Sequence, residues 1–119
     1  MGVSKMSEPI DVLKALSDFG RLRILKMLEI KSLCVCEITE LLGLATSTVS
    51  SHLNVLKNAD LIQDEKEGKW INYKLAPAPP PFFQEIWPLI SRHLDPNRQI
   101  LEDRKKVGSV DRHKICAAV

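Results

Sequence analysis

The side chains in this 119-residue chain best suited to soft-ion or thiol chemistry are three cysteines. Cys34 and Cys36 flank Val35, and Cys116 stands near the end of the chain. Thiolates are soft donors that select soft metal and metalloid ions. A thiol at a helix N-terminus is also more readily ionised. Three cysteines, two of them one residue apart, do not make a disulfide framework. In a reducing compartment they are expected as thiols or ligands. The alternative for Cys34 and Cys36 is a pair of small buried hydrophobes. The Cys-x-Cys spacing is not the Cys-x-x-Cys of a thiol oxidoreductase, and no acid/base pair or phosphate-binding loop accompanies it. An enzyme is therefore not expected, nor a cofactor acting as catalyst.

Geometry adds a condition. Two residues apart on an α-helix, side chains point about 200° away from each other, whereas in extended chain they share a side. One ion held by both sulfurs requires the start of the helix that carries them to be, or become, non-helical.

The elements that must position these thiols follow from periodicity. Ser7 and Pro9 open a first helix with Ile10, Leu13 and Leu16 at helical spacing. Asp18 caps a second helix through residues 21–28. The third runs over Val35 to Leu42 and is stopped by Gly43 as its C′ residue. After the turn 43–45, a fourth helix covers Thr46 to Asn58 with Val49, Leu53 and Leu56 inward. Two helices joined by so short a glycine-containing turn form a helix-turn-helix. Residues 61–75 then give a hairpin turning at Glu67-Gly68, with Ile71, Tyr73 and Leu75 alternating against Trp70, Asn72 and Lys74.

The expected fold is mainly α with a small β-hairpin wing, a winged helix-turn-helix of order α-α-α-α-β-β-α. Residues 1–94 form the DNA-binding and dimerisation domain, with wing 61–75, a stiff Pro-rich linker 76–81 and a dimerisation helix 82–94 that Pro88 should kink. Asp95-Pro96 should start a short helix to about Lys106, and residues 95–119 as a whole make a short helix and a flexible tail bearing Cys116.

In a helix-turn-helix the second helix enters the major groove, N-terminal end first. Thr46, Ser47, Thr48, Ser50, Ser51 and His52 are the candidate DNA contacts, with Lys66 and Lys69 at the wing tip and Arg21 and Arg23 on helix two as candidate phosphate contacts. For His52 the alternative is a core-edge histidine bonded to backbone. Ile10, Leu13, Leu16, Phe82, Ile86, Trp87 and Ile90 could form a two-fold dimer interface or fold back on their own domain. Net charge of +2 permits DNA binding without demanding it. From Ala45 to Leu75, Lys57, Lys66, Lys69 and Lys74 are balanced by Asp60, Asp64, Glu65 and Glu67, so the motif and not the charge carries the DNA expectation. No apolar run approaches the roughly 20 residues of a membrane span, and no secretory pattern opens the chain. A cytoplasmic protein is expected.

Four stretches, LSDFGRLRIL (16–25), LCVCEI (33–38), TVSSHL (48–53) and GKWINYKL (68–75), resemble the ArsR/SmtB family of winged-helix metalloregulatory repressors. The resemblance spans roughly residues 8–94, and the Gly-Lys-Trp wing looks like the arsenic-sensing branch. It implies a homodimer that represses an operator and is released when As(III) or Sb(III) binds three thiolates, derepressing metalloid-resistance genes. Cys34 and Cys36 match that ligand set, and the family's third cysteine falls at Thr39. Cys116, a small thiol or a hydroxide would then complete the site. Redox or persulfide sensing through a link of Cys34 or Cys36 to Cys116, and zinc or cadmium sensing with His93, Asp95 and His113, are the alternatives within the same fold.

Overall fold

The computed structural model describes residues 8–111, so Ser7, His113 and Cys116 lie outside the described residues. Helix α1 (Glu8–Leu16) leads into α2 (Phe19–Ile30), whose N-cap carboxylate, Asp18 Oδ1, accepts from Arg21 N at 3.2 Å. A short strand β1 (Leu33–Cys34) runs directly into α3 (Val35–Leu42), and α4 (Thr46–Asn58) follows after a three-residue turn. Gly43 ends α3 at φ +69°, a left-handed conformation that glycine adopts without steric cost, and its N–H closes on Thr39 O. Strands β2 (Ile62–Glu67) and β3 (Trp70–Leu75) form the wing; α5 (Pro81–Leu94) and α6 (Arg98–Ser109) complete the chain.

The structure is a winged helix-turn-helix, mostly helical, with a small antiparallel sheet. Its helix-turn-helix boundaries agree with those read from periodicity. Two features differ. The sheet has three strands in the order β1-β3-β2, because residues 33–34 pair with β3 (Leu33 opposite Tyr73, Cys34 opposite Asn72). Two residues carry no alternation to read, so only the partner strand makes this a strand. Helix α5 is one helix with Pro88 inside it, as its spacing indicated. The last helix is capped not by Asp95 but by Asn97, whose Oδ1 accepts from Ile100 N, and it extends to Ser109. Asp95 instead adds its N–H to the end of α5 and commits its carboxylate elsewhere.

The core is built from the inward stripes of α1 to α4, with Leu61 and Ile62 from the wing base and Phe83 and Trp87 from α5. Phe83 and Trp87 stack with ring centroids 5.4 Å apart. Helix α6 lies along α2 and also meets α3, burying Ile100 and Val107.

Two polar networks tie the outer helices to α2. Arg23 forms a bidentate pair with the buried Asp103 of α6 (2.8 and 3.0 Å), Gln99 Nε2 also donates to Asp103, and Arg23 Nη2 makes a longer bond to Leu41 O at the end of α3. Buried Lys26 reaches Asp95 Oδ1 (2.6 Å), Ser91 Oγ (2.7 Å) and Glu29 Oε1 (2.8 Å). Glu29 Oε2 in turn accepts from Trp87 Nε1 and Ser91 Oγ, both at 2.9 Å. Burial alone would lower the Lys26 pKa, but its hydrogen bonds to Asp95 and Glu29 and their charges outweigh that and raise it. The hydrogen bond from Lys26 holds the Asp95 carboxyl below its ordinary value.

Candidate sulfur site and nucleic-acid interface

Cys34 is the last residue of β1 and the N-cap of α3, in extended conformation (φ −89°, ψ 166°) and only 1% exposed. Its N–H donates to Glu37 Oε1 at 2.8 Å, and its sulfur faces the Glu37 N–H, which makes a capping box with a thiol in the place usually taken by a hydroxyl. Glu37 is buried with it. Cys36 is the second helical residue, half-buried, and its sulfur is disulfide-bonded, so it can meet an ion only after reduction. The two thiols therefore straddle the point where extended chain becomes helix. Reduction of the Cys36 disulfide and unwinding of the first turn of α3 separate this arrangement from one in which both sulfurs share a side.

Cys34 is also the register partner of Asn72 on β3. Any movement of Cys34 acts on the positioning helix α3 and on the wing at once.

Around this point, two buried oxygens have no hydrogen-bond partner: Thr39 Oγ1, one turn beyond Cys36, and Asn72 Oδ1, across the sheet from Cys34. Among the described residues, no group of three or more His, Cys, Asp and Glu side chains could hold a metal ion. The donor chemistry that is present suits a soft ion bound by two sulfurs, with an oxygen completing the set. Cys116, the other candidate ligand, lies outside the described residues.

On α4, Thr46, Ser47, Thr48, Ser50 and Ser51 are all exposed, while Val49, Leu53 and Leu56 are buried beneath them. Ala45, the N-cap, offers no side-chain acceptor, so the first N–H groups of α4 have no cap side chain, an arrangement suited to a phosphate. His52 is placed differently from these hydroxyls. Its side chain is largely covered, Arg21 Nη1 donates to Nδ1 at 3.1 Å, and Nε2 faces Asp18 Oδ1 at 3.7 Å. A guanidinium only donates, so Nδ1 accepts and the ring proton sits on Nε2. These contacts, to side chains and not to backbone, link α4 to the start of α2. A side chain on Gly20 would come within 3.0 Å of Asp18 Oδ1 and 3.2 Å of His52 Nε2, which explains a glycine there.

Arg21 and Arg23 are likewise engaged inside the protomer. Arg21 donates to Ala15 O (2.8 Å) and Lys14 O (3.1 Å), satisfying the last carbonyls of α1, and Arg23 serves Asp103. Sequence offered no means to foresee these intramolecular partners. On the wing, Lys57 pairs with Asp64 (2.8 Å) and Lys74 with Glu65 (3.6 Å). Among the described residues, Lys66 and Lys69 enter no ion pair; Lys69 lies over the Trp70 ring at 5.3 Å, and both are exposed.

Of the seven residues expected at a dimer interface, Ile10 and Leu13 are open (55% and 49%), and Phe82, Ile86 and Ile90 are half-buried. Leu16 and Trp87 turn into the protomer's own core. Leu89, absent from the expected set, is 50% exposed on α5. Its position beside Pro88, off the main stripe, hid it.

Comparison with known proteins places this geometry in context. The profile described as "Bacterial regulatory protein, arsR family" matches residues 18–64, from the cap of α2 into the wing. The chain is 38% identical over 79 residues to the arsenical resistance operon repressor of Escherichia coli, covering 66% of this chain and 68% of that protein. It is 41% identical over 71 residues to a cadmium resistance transcriptional regulatory protein CadC homolog of Staphylococcus aureus, covering 56% and 59%. Among solved structures, the homodimeric winged helix-turn-helix DNA-binding domain Mb0332 of Mycobacterium bovis superposes with a TM-score of 0.64 at 26% identity, over 81% of this chain and 90% of that one.

Proposed function

As a member of the bacterial ArsR family, this chain is a winged-helix transcriptional regulator and not an enzyme, and we propose that it is a homodimeric repressor whose hold on operator DNA is released by As(III) or Sb(III) bound at Cys34 and Cys36. Cys116 is a further candidate ligand. The exposed hydroxyls of Thr46, Ser47, Thr48, Ser50 and Ser51 would face the major groove, and Lys66 and Lys69 the flanking phosphates. Ile10 and Leu13 of α1 with Phe82, Ile86, Leu89 and Ile90 of α5 would meet their symmetry mates, which suits an isologous two-fold contact.

The observation that carries the inducer site is the position of Cys34 at three junctions: end of β1, cap of α3, and register partner of the wing strand. Drawing both sulfurs onto one ion unwinds the first turn of α3, opens the capping box with Glu37, and pulls on β3. The ion favours the deformed state and DNA the regular one, so each weakens the other's binding by the same factor. The name of the Escherichia coli relative supports arsenic as the signal.

Operator binding measured by anisotropy, under a phosphine reductant, tests this. Arsenite should weaken binding by roughly 10–100-fold, a coupling of ordinary size, and Cys34→Ser or Cys36→Ser should abolish the response. Full response in both variants sinks the site. The disulfide at Cys36 favours a second reading, thiol redox sensing. Release by peroxide, with no response to arsenite in the reduced protein, would establish it instead.

A further inference from the structure

Resting on the thiol site proposed above, we infer that its third ligand position is filled by a hydroxide kept from arsenous acid, seated by Thr39 Oγ1 and Asn72 Oδ1. Thr39 lies three residues after Cys36 on α3, just beyond the first turn that ion binding unwinds. A threonine inside a helix ordinarily bonds its hydroxyl back to the carbonyl three or four residues earlier. Thr39 does not: its oxygen is buried and makes no hydrogen bond.

Asn72 repeats the pattern from the sheet side. It stands directly opposite Cys34, which sets the two side chains on one face of the sheet. Its Nδ2 donates to Glu67 Oε1, which fixes the amide orientation and turns Oδ1 into the remaining acceptor. That oxygen is also buried and makes no hydrogen bond. Buried polar atoms without partners are rare, and here one lies on the helix that carries Cys36 and the other opposite Cys34.

The chemistry balances without oxidation. Arsenous acid condenses with the two thiols: As(OH)3 plus Cys34–SH and Cys36–SH gives the dithiolate (Cys34–S)(Cys36–S)As–OH and two waters. Two As–O bonds and two S–H bonds break, two As–S bonds and two water O–H bonds form, and arsenic stays trivalent. Cys36 enters after its disulfide has been reduced by a phosphine or cellular thiol. The retained As–OH donates to Asn72 Oδ1 and accepts from the Thr39 hydroxyl, satisfying both oxygens.

The test is arsenic K-edge absorption and direct arsenite titration of the full-length protein under a phosphine reductant. Expected are two sulfurs and one oxygen around arsenic in both the wild type and Cys116→Ser. Thr39→Val should keep two sulfurs but bind arsenite about ten-fold more weakly, the worth of one buried hydrogen bond. Thr39→Ser should restore affinity, and Thr39→Cys should give three sulfurs. Three sulfurs in the wild type falling to two in Cys116→Ser, or unchanged affinity in Thr39→Val, overturns the hydroxide seat while leaving the thiol site standing. Arsenic bound with no sulfur, or equally well in the Cys34→Ser/Cys36→Ser double variant, overturns the thiol site itself.

Discussion

The starts of α3 and α4 lie eleven residues of chain apart and are built oppositely. Helix α3 opens inside the protein: Cys34 and Glu37 are buried, the cap N–H has its acceptor at 2.8 Å, and β3 holds the preceding strand. Helix α4 opens onto solvent with alanine at its cap and hydroxyl side chains exposed in its first two turns. The closed start stores a conformation that a ligand can disrupt; the open start leaves donors for DNA. A switch of this kind needs one end that resists until forced and one that stays available, and adjacent helices supply the two.

The largest expected effect comes from loosening the far end of α3. Asp103→Ala would leave the Arg23 guanidinium without its buried counterion, and Arg23 also bonds Leu41 O. Unfolding free energy should fall by about 3–5 kcal/mol, because an uncompensated buried charge costs far more than the pair contributes. Urea denaturation measures it, and a loss under 1 kcal/mol would show that α6 does not brace α3. Next comes Glu37→Ala, which strips the buried Cys34 N–H of its acceptor and should cost roughly 1–3 kcal/mol. If the closed start of α3 is what the ion must break, this variant should also release the operator at lower arsenite. Equal arsenite midpoints in variant and wild type would contradict the contrast drawn here.

The open helix should behave otherwise. Ser51→Ala, on an exposed site, should leave stability within about 0.5 kcal/mol yet weaken operator binding roughly five-fold, the worth of one hydrogen bond. A matching loss of stability would mean that the serine is structural. The smallest effect is the pH dependence of the link between α5 and α2. Asp95 has its pKa lowered, so its contribution is complete above its ordinary value of 3.8 and fades as pH falls through the depressed one. Lys26 has its pKa raised, so its contribution is complete below 10.5 and fades as pH rises through the elevated value. The stability difference between wild type and Asp95→Asn should therefore be flat from pH 5 to 9 and shrink below 3.8; a difference growing with acid would refute the Lys26 assignment.

Much of the helix-turn-helix was legible in the chain because local rules govern it. Apolar spacing at Val49, Leu53 and Leu56, the cap at Asp18 and the glycine stop at Gly43 each act over a few residues. Side-chain assignments that depend on distant partners were not. No local pattern foretells the bond of Arg21 to Ala15 O, of Arg23 to Asp103 or of His52 to Arg21. Asp95 reads as a helix cap until Lys26, sixty-nine residues earlier, takes its carboxylate.

By itself, then, the sequence determined the helices, the wing and the spacing of two thiols at a helix mouth, since backbone periodicity and capping are properties of neighbouring residues. Tertiary structure alone decided that Cys34 belongs to a strand, that Asn72 faces it, that Thr39 Oγ1 goes unbonded, and that α6 braces α2 and α3. Those are pairings across the fold, fixed by burial and by the need of each buried polar group for a partner, and no local pattern encodes them.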